Sequence, residues 1–293
     1  MPREIQSILY KALAGVRLTP DDCTQLLESH DVARIGVAAD EIRQRRHPDN
    51  VVTYIIDRNI NYTNFCTEFC TFCAFYRPLK GPKAKEGYIL ELDTIYDKIR
   101  ETVELGGTGV LMQGGLHPDF GIEWYEDLLR TLHAKYPKFQ LHCFSPPEIH
   151  NIHLISGLDY ETIMSRLKDA GLYSLPGGGG EILDDEVRNR VSTKCTTDEW
   201  LAVMKAVHRV GLRSTATMMF GIGDNVTHRV RHLQRVRDLQ DETGGFTAFI
   251  PWTFQRENTA LGRRIKDEPT GVDYLKMLAV SRLFLDNIEN LQS

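Results

Sequence analysis

The sequence predicts an α/β protein on a parallel sheet that curves toward a βα barrel of the TIM type. Three observations predict it. From residue 51 onward, short β-branched or apolar stretches alternate with helical ones, the pattern of βα units on a parallel sheet. Gly106, Gly171, Gly211 and Gly244 follow helical stretches, where a C-terminal stop belongs. Finally, each odd stretch sits just after a strand: the cysteine loop, QGGLHP, SPPEIH, PGGGGEI, GIGD and PWTF. In a βα barrel the C-terminal strand ends share the face where the active site lies, so these loops are expected to converge. A doubly wound sheet would string them along a line.

The elements follow in order. Residues 1–50 read as an N-terminal helical segment packed on a barrel core of 51–293. In RLTPDDCTQLLES, Thr19 caps a helix, Pro20 takes its first position and Asp22 its first turn. VVTYIIDRNI reads as the first strand. A helix over 93–105 leads to the strand GVLMQ, and a helix over 124–136 to FQLHCF. A helix over 160–170 precedes LYSL. Thr196 and Glu199 form a capping box for a helix ending at Gly211, before RSTATMMF. A helix over 227–241 precedes FTAFI. That gives about six strands, whereas eight would close a barrel.

Composition narrows the function. With 293 residues, 42% hydrophobic, the chain has ample core. A net charge of −5 with mixed signs speaks against nucleic acid. The N-terminus lacks a signal-peptide pattern, and no stretch nears the roughly 20 apolar residues of a membrane span. The chain therefore reads as cytoplasmic, with no membrane partner. Cysteines there stay reduced, and clustered ones bind metal or do redox work.

NFCTEFCTFCAFYR places Cys66, Cys70 and Cys73 in one short loop. Structural zinc takes four ligands, and most iron–sulfur sites complete four cysteines nearby. Three thiolates fit a 4Fe–4S cluster whose fourth iron is open to a small molecule. Zinc completed by a distant histidine, or a reduced loop holding nothing, are the alternatives. Cys23, Cys143 and Cys195 share no spacing with the trio, and Cys143, mid-strand, reads as core. Among groups able to act as a base, His117 and Asp224 stand out. His117 reads equally as a turn residue beside Pro118, and Asp224 as a helix cap. His142, within a strand, reads as a core histidine, and His150 lies beside the proposed face.

The cysteine spacing, with Phe72 just before the third, resembles the radical S-adenosylmethionine (SAM) enzymes. NYTNFCTEFCTFCAFYRP, QGGLHPD, SPPEIHNI, LPGGGGEILDDEVR, TTDEW and MMFGIGD together resemble the cyclic dehypoxanthinyl futalosine synthases, from about residue 5 to the end. The resemblance implies an oxidoreductase of the futalosine route to menaquinone, on a radical SAM barrel. Cys66, Cys70 and Cys73 would hold the 4Fe–4S cluster, whose open iron chelates SAM. Cleavage gives methionine and a 5′-deoxyadenosyl radical, which takes the ribose C4′ hydrogen of dehypoxanthinyl futalosine. An electron donor such as flavodoxin or ferredoxin is implied.

Phe72, Gly114, Gly115, Ser145, Glu181 and Lys194 become candidate SAM contacts. Arg77, Glu148 and the run Gly177, Gly178, Gly179 and Gly180 become candidate substrate contacts. The glycine run reads either as a flexible loop or as backbone N–H donors to a ligand. By the same resemblance, family chains continue into two further strands that close the barrel, and this chain is expected to lack them. Two other readings share the cysteine loop: a sister enzyme (aminofutalosine synthase or a deazaflavin FO synthase subunit), and an electron-transfer iron–sulfur protein with no substrate.

Overall fold

The structure is a computed structural model and describes residues 4–293. Seven strands form one sheet: β1 (Asp57–Asn61), β2 (Gly109–Gln113), β3 (Gln140–Cys143), β4 (Ser174–Leu175), β5 (Arg213–Phe220), β6 (Phe246–Thr253) and β7 (Asn290–Leu291). Their order along the sheet is their order in the chain. The pairs β1–β2, β2–β3, β3–β4, β4–β5 and β6–β7 are parallel. Parallel neighbours need crossovers, and helices supply them. These are α4 (Leu92–Glu104), α5 (Ile122–Lys135), α6 (Pro146–Ser156), α7 (Tyr160–Asp169), α8 (Asp185–Val191), α9 (Thr197–Arg209), α10 (Val226–Thr243) and α11 (Gly271–Phe284). Ahead of the sheet come α1 (Glu4–Leu13), α2 (Pro20–Glu28) and α3 (Val32–Arg46). Among the described residues, no helix is long and apolar enough to cross a membrane.

Local chemistry sets the helix starts. Thr19 accepts from the Asp22 N–H while the Asp22 carboxylate accepts from Thr19, and Thr196 and Glu199 do the same for α9. Three sequence readings need correction. The strand count rises from six to seven, the addition being the two-residue β7. The first strand starts at Asp57, because only Asp57–Asn61 finds a ladder on β2. Val52 and Tyr54 are 82% and 83% exposed, so β-branched propensity without a partner or a face to bury did not make a strand. SPPEIH, read as a loop, opens α6, since proline suits the first helical turn.

The chain divides into two compact units. One comprises residues up to Thr53, Gly180–Val191 and Ala216–Ser293; Leu26, Ile35, Val236 and Phe284 belong to its core. There the Arg237 guanidinium donates to the Leu18 and Phe284 carbonyls, tying α10 to the start of α2 and the end of α11. The other unit comprises Tyr54–Gly179 and Ser192–Thr215. Ile60, Met112, Leu141 and Leu175 of its strands and Ile99, Leu129 and Trp200 of its helices are buried. It holds β1 to β4 and the first residues of β5, hence four parallel strand ends on one edge.

Candidate active site

The cysteine loop leaves β1 and is pinned on both flanks. The Cys66 N–H donates to Arg77 O at 3.0 Å, and the Arg77 N–H to Asn64 O at 2.7 Å. The Tyr88 N–H reaches the Asn64 side chain at 2.8 Å, and the Leu90 N–H reaches Tyr62 O at 2.8 Å. All six cysteines are free thiols. Cys66 Sγ accepts from the Glu68 and Leu116 N–H groups at 3.4 and 3.3 Å. Burial pushes its thiol up, those N–H groups act the other way, and Cys73 is close enough for its charge to be felt. Gly115 lets β2 approach this loop: a Cβ there would overlap the Phe65 carbonyl and lie 2.9 Å from Cys66 Cβ.

A buried carboxyl joins the ends of β1, β2 and β3. Glu148, 1% exposed, accepts from the Tyr62 hydroxyl at 2.5 Å, the Ser145 hydroxyl at 2.5 Å and the Gly114 N–H at 3.1 Å. Desolvation pushes it up to about 7, against the pull of these donors and of the Lys194 charge. Sequence reasoning gave Glu148 to the substrate and Ser145 to SAM. In the structure their side chains bond each other inside the fold. Gly114 is required by packing, since a Cβ there would overlap the Tyr62 ring.

Residues 192–194 lie against the cysteine loop. The Ser192 hydroxyl is 3.1 Å from Cys70 Sγ, Thr193 bonds the Glu68 carboxylate, and Lys194 Nζ stands 5.0 Å from the centre of the Phe72 ring. Gly179 faces Pro147, with Lys194 Cε 3.7 Å from where its Cβ would be. The Gly177 N–H donates to Thr215 Oγ1 at 2.9 Å, and Trp200 Nε1 donates to Gly178 O at 3.3 Å. The glycine loop is therefore pinned, and the Gly177 N–H already has an acceptor. Tyr62, Ser192, Thr193 and Trp200 escaped sequence reasoning. Ser192 and Thr193 had one available signal, adjacency to Lys194.

Three more candidates have partners within the fold. Arg77 was read as a substrate cation; its guanidinium holds Glu86 at 2.7 Å and the carbonyls of Ala74, Phe75 and Tyr76, so it braces the loop. His117 was a candidate base; its Nδ1 accepts the Asp119 N–H at 3.2 Å, and its ring stacks on Phe120 with centroids 4.1 Å apart. Burial lowers its affinity for a proton. His117 thus caps its turn. Asp224, the other candidate base, lies in the other unit. Its Oδ1 accepts from the Gly221 and Ile222 N–H groups and its Oδ2 from Arg229 Nε at 2.6 Å, so both oxygens are engaged. Gly180 and Glu181 belong to that unit too; Gly180 O accepts from Arg188, and Glu181 O from the Met219 N–H. His142 and His150 bond Ser174 and Tyr160 through Nδ1.

A loop with three thiols on a sheet of parallel βα units defines a class. The family model of the radical SAM superfamily matches residues 60–236, and that of the CofH/MqnC C-terminal region matches 243–293. The cyclic dehypoxanthine futalosine synthase of Halalkalibacterium halodurans is 49% identical over 290 residues, covering 99% of this chain and 77% of that one. A 5-amino-6-(D-ribitylamino)uracil–L-tyrosine 4-hydroxyphenyl transferase of Methanococcoides burtonii is 39% identical, covering 100% and 80%. The crystal structure of HydG, a maturase of the [FeFe]-hydrogenase, superposes with a TM-score of 0.77 at 16% identity, covering 98% of this chain and 63% of that one. The chain belongs to the radical SAM superfamily and, within it, to the family of cyclic dehypoxanthine futalosine synthases.

That superfamily implies a 4Fe–4S cluster and SAM. The donors suit such a cluster. Three reduced cysteines share one pinned loop, N–H groups point at Cys66 Sγ, a hydroxyl lies at Cys70 Sγ, and Gly115 permits the close approach. Three sulfur ligands leave one iron for a small molecule.

Proposed function

We propose that the chain cyclises dehypoxanthinyl futalosine to cyclic dehypoxanthinyl futalosine. The observation that carries this reading is the 49% identity to a cyclic dehypoxanthine futalosine synthase along nearly the whole chain. Cys66, Cys70 and Cys73 would hold the cluster, and Phe72 and Lys194 would flank SAM, with Lys194 a cation for its carboxylate. When bound, cluster and SAM together supply a 5′-deoxyadenosyl radical, the chemistry the protein itself lacks.

The chain's residues do the positioning. Gly114 and Gly115 bring the end of β2 onto the cysteine loop, and the Glu148 network holds that end against β1 and β3. Such a fixed frame would let the site hold a bound substrate in one orientation for hydrogen abstraction. The substrate carbon radical would then add to the substrate's benzoate ring, and the cyclised radical would pass one electron to an oxidised one-electron acceptor and one proton to solvent, which restores aromaticity. A small carrier such as flavodoxin or ferredoxin supplies the reducing electron.

Deuterium at C4′ of the substrate tests the reading. Label is expected in 5′-deoxyadenosine after anaerobic turnover, and its absence there rules out abstraction at C4′. Turnover of 5-amino-6-(D-ribitylamino)uracil with tyrosine instead would move the chain to the sister activity.

A further inference from the structure

We propose that the face made by the cysteine loop and residues 77–87 is the docking surface for a small acidic carrier protein that delivers single electrons. The inference rests on the one-electron chemistry of the family and gives it an entry face on this chain. Residues 77–87 carry Arg77, Lys80, Lys83 and Lys85 against the single carboxylate Glu86, in a chain whose net charge is −5. Arg77 holds Glu86. Lys80, Lys83 and Lys85 are exposed and make no ion pair among the described residues. In the cysteine loop that precedes them in the chain, Phe69 and Phe75 are 62% and 41% exposed. Each is braced by a tyrosine, Phe69 by Tyr76 at 5.6 Å and Phe75 by Tyr88 at 6.3 Å between ring centres.

One exposed phenylalanine is ordinary. Two on the ligand loop, next to three unpaired cations, make the apolar centre and charged rim of an interface. The patch is fixed to the cluster ligands, since the Cys66 N–H bonds Arg77 O and the Asn64 side chain bonds Glu86 O. Charge chooses the occupant. An acidic chain repels an acidic carrier at long range, and a local basic rim reverses that at one face and orients the encounter. In the transfer the carrier loses one electron and the cluster gains it, with no bond made or broken in this chain.

The test uses the holoenzyme and a purified acidic flavodoxin in its hydroquinone form. Stopped flow follows bleaching of the cluster's visible absorption, and titration with oxidised flavodoxin follows complex formation. The triple variant Lys80→Glu, Lys83→Glu, Lys85→Glu is expected to slow bleaching by flavodoxin at least about ten-fold at low ionic strength. It should also reverse the salt dependence, so that added salt slows transfer to the unaltered chain but speeds transfer to the variant, while leaving bleaching by dithionite little changed. Phe69→Ser is expected to weaken the complex but keep its salt dependence. An undiminished rate in the triple variant overturns the proposal. So does equal slowing with dithionite, because the lysines would then serve the loop itself. None of these readouts involves substrate turnover, so an error in the substrate assignment leaves them untouched.

Discussion

Glu148 and Asp224 are both carboxylates placed just after a strand, and both side chains are sealed from solvent, yet they are satisfied in opposite ways. Glu148 is held by two hydroxyls and one N–H and touches no guanidinium. Asp224 takes two N–H groups from its own turn and an ion pair from Arg229. Neutral donors gathered from three strand ends leave a buried carboxyl poised near neutrality, beside the cysteine loop. A guanidinium and two local amides turn the other into a lock on the GIGD turn. A carboxylate after a strand therefore says little by itself; its partners decide what it does.

The sharpest test of that contrast is at the cysteines. Cys70→Ala is expected to abolish bound iron and SAM cleavage, while Cys143→Ala keeps both, because the fully buried Cys143 lies in β3 and its thiol is pushed up by burial. Iron and sulfide per chain after anaerobic reconstitution decide it. A glycine pair gives the next largest effect. Gly115→Ala would drive a methyl into the Phe65 carbonyl, so iron content should fall several-fold. Gly223→Ala has open space around it but a φ of +91°, so it should cost about 1–3 kcal/mol of backbone strain and leave iron unchanged. Equal iron in the two variants would remove the distinction between a chemical region and a turn.

Glu148 gives a pH signature. Its folded value of about 7 lies above the ordinary 4.5, so between these limits the folded chain keeps a proton that the unfolded chain has released. Stability therefore falls as pH rises from 4.5 to 7, by an amount on the order of 3 kcal/mol. Glu148→Gln keeps the shape and removes the titration, so its urea-unfolding free energy should be flatter over that range. A slope identical to that of the unaltered chain would mean that Glu148 does not titrate there.

Much of this was legible in the sequence, and the failures have physical causes. Caps were readable because Thr19 with Asp22 and Thr196 with Glu199 act within one turn. GVLMQ and RSTATMMF came out as strands over their full length. VVTYII failed because a strand needs a partner that composition does not reveal. The partners of Glu148 and Arg77 were hidden for a related reason. Tyr62 and Gly114 lie 86 and 34 positions from Glu148, so only folding shows that its oxygens are engaged. Arg77 looked like a ligand cation because its acceptors include three carbonyls, which every sequence has. The cysteine trio was readable because its spacing is local.

The last contrast is at Asp224, where the expected effect falls on stability alone. Asp224→Asn can keep Oδ1 as acceptor for the Gly221 and Ile222 N–H groups, but it turns an NH2 toward Arg229 and removes the negative charge there. Arg229 is partly exposed, so water recovers some of the loss. The expected cost is about 2 kcal/mol, the scale of one hydrogen bond to a charged group. It should appear as a lower urea midpoint with an unchanged slope, because the surface exposed on unfolding stays the same. Iron content and SAM cleavage should not change, since Asp224 acts on its own turn. If stability instead holds while turnover falls, the lock reading fails and Asp224 returns as a base. Glu148 and Asp224 would then have exchanged roles, with the ion-paired carboxylate serving the chemistry.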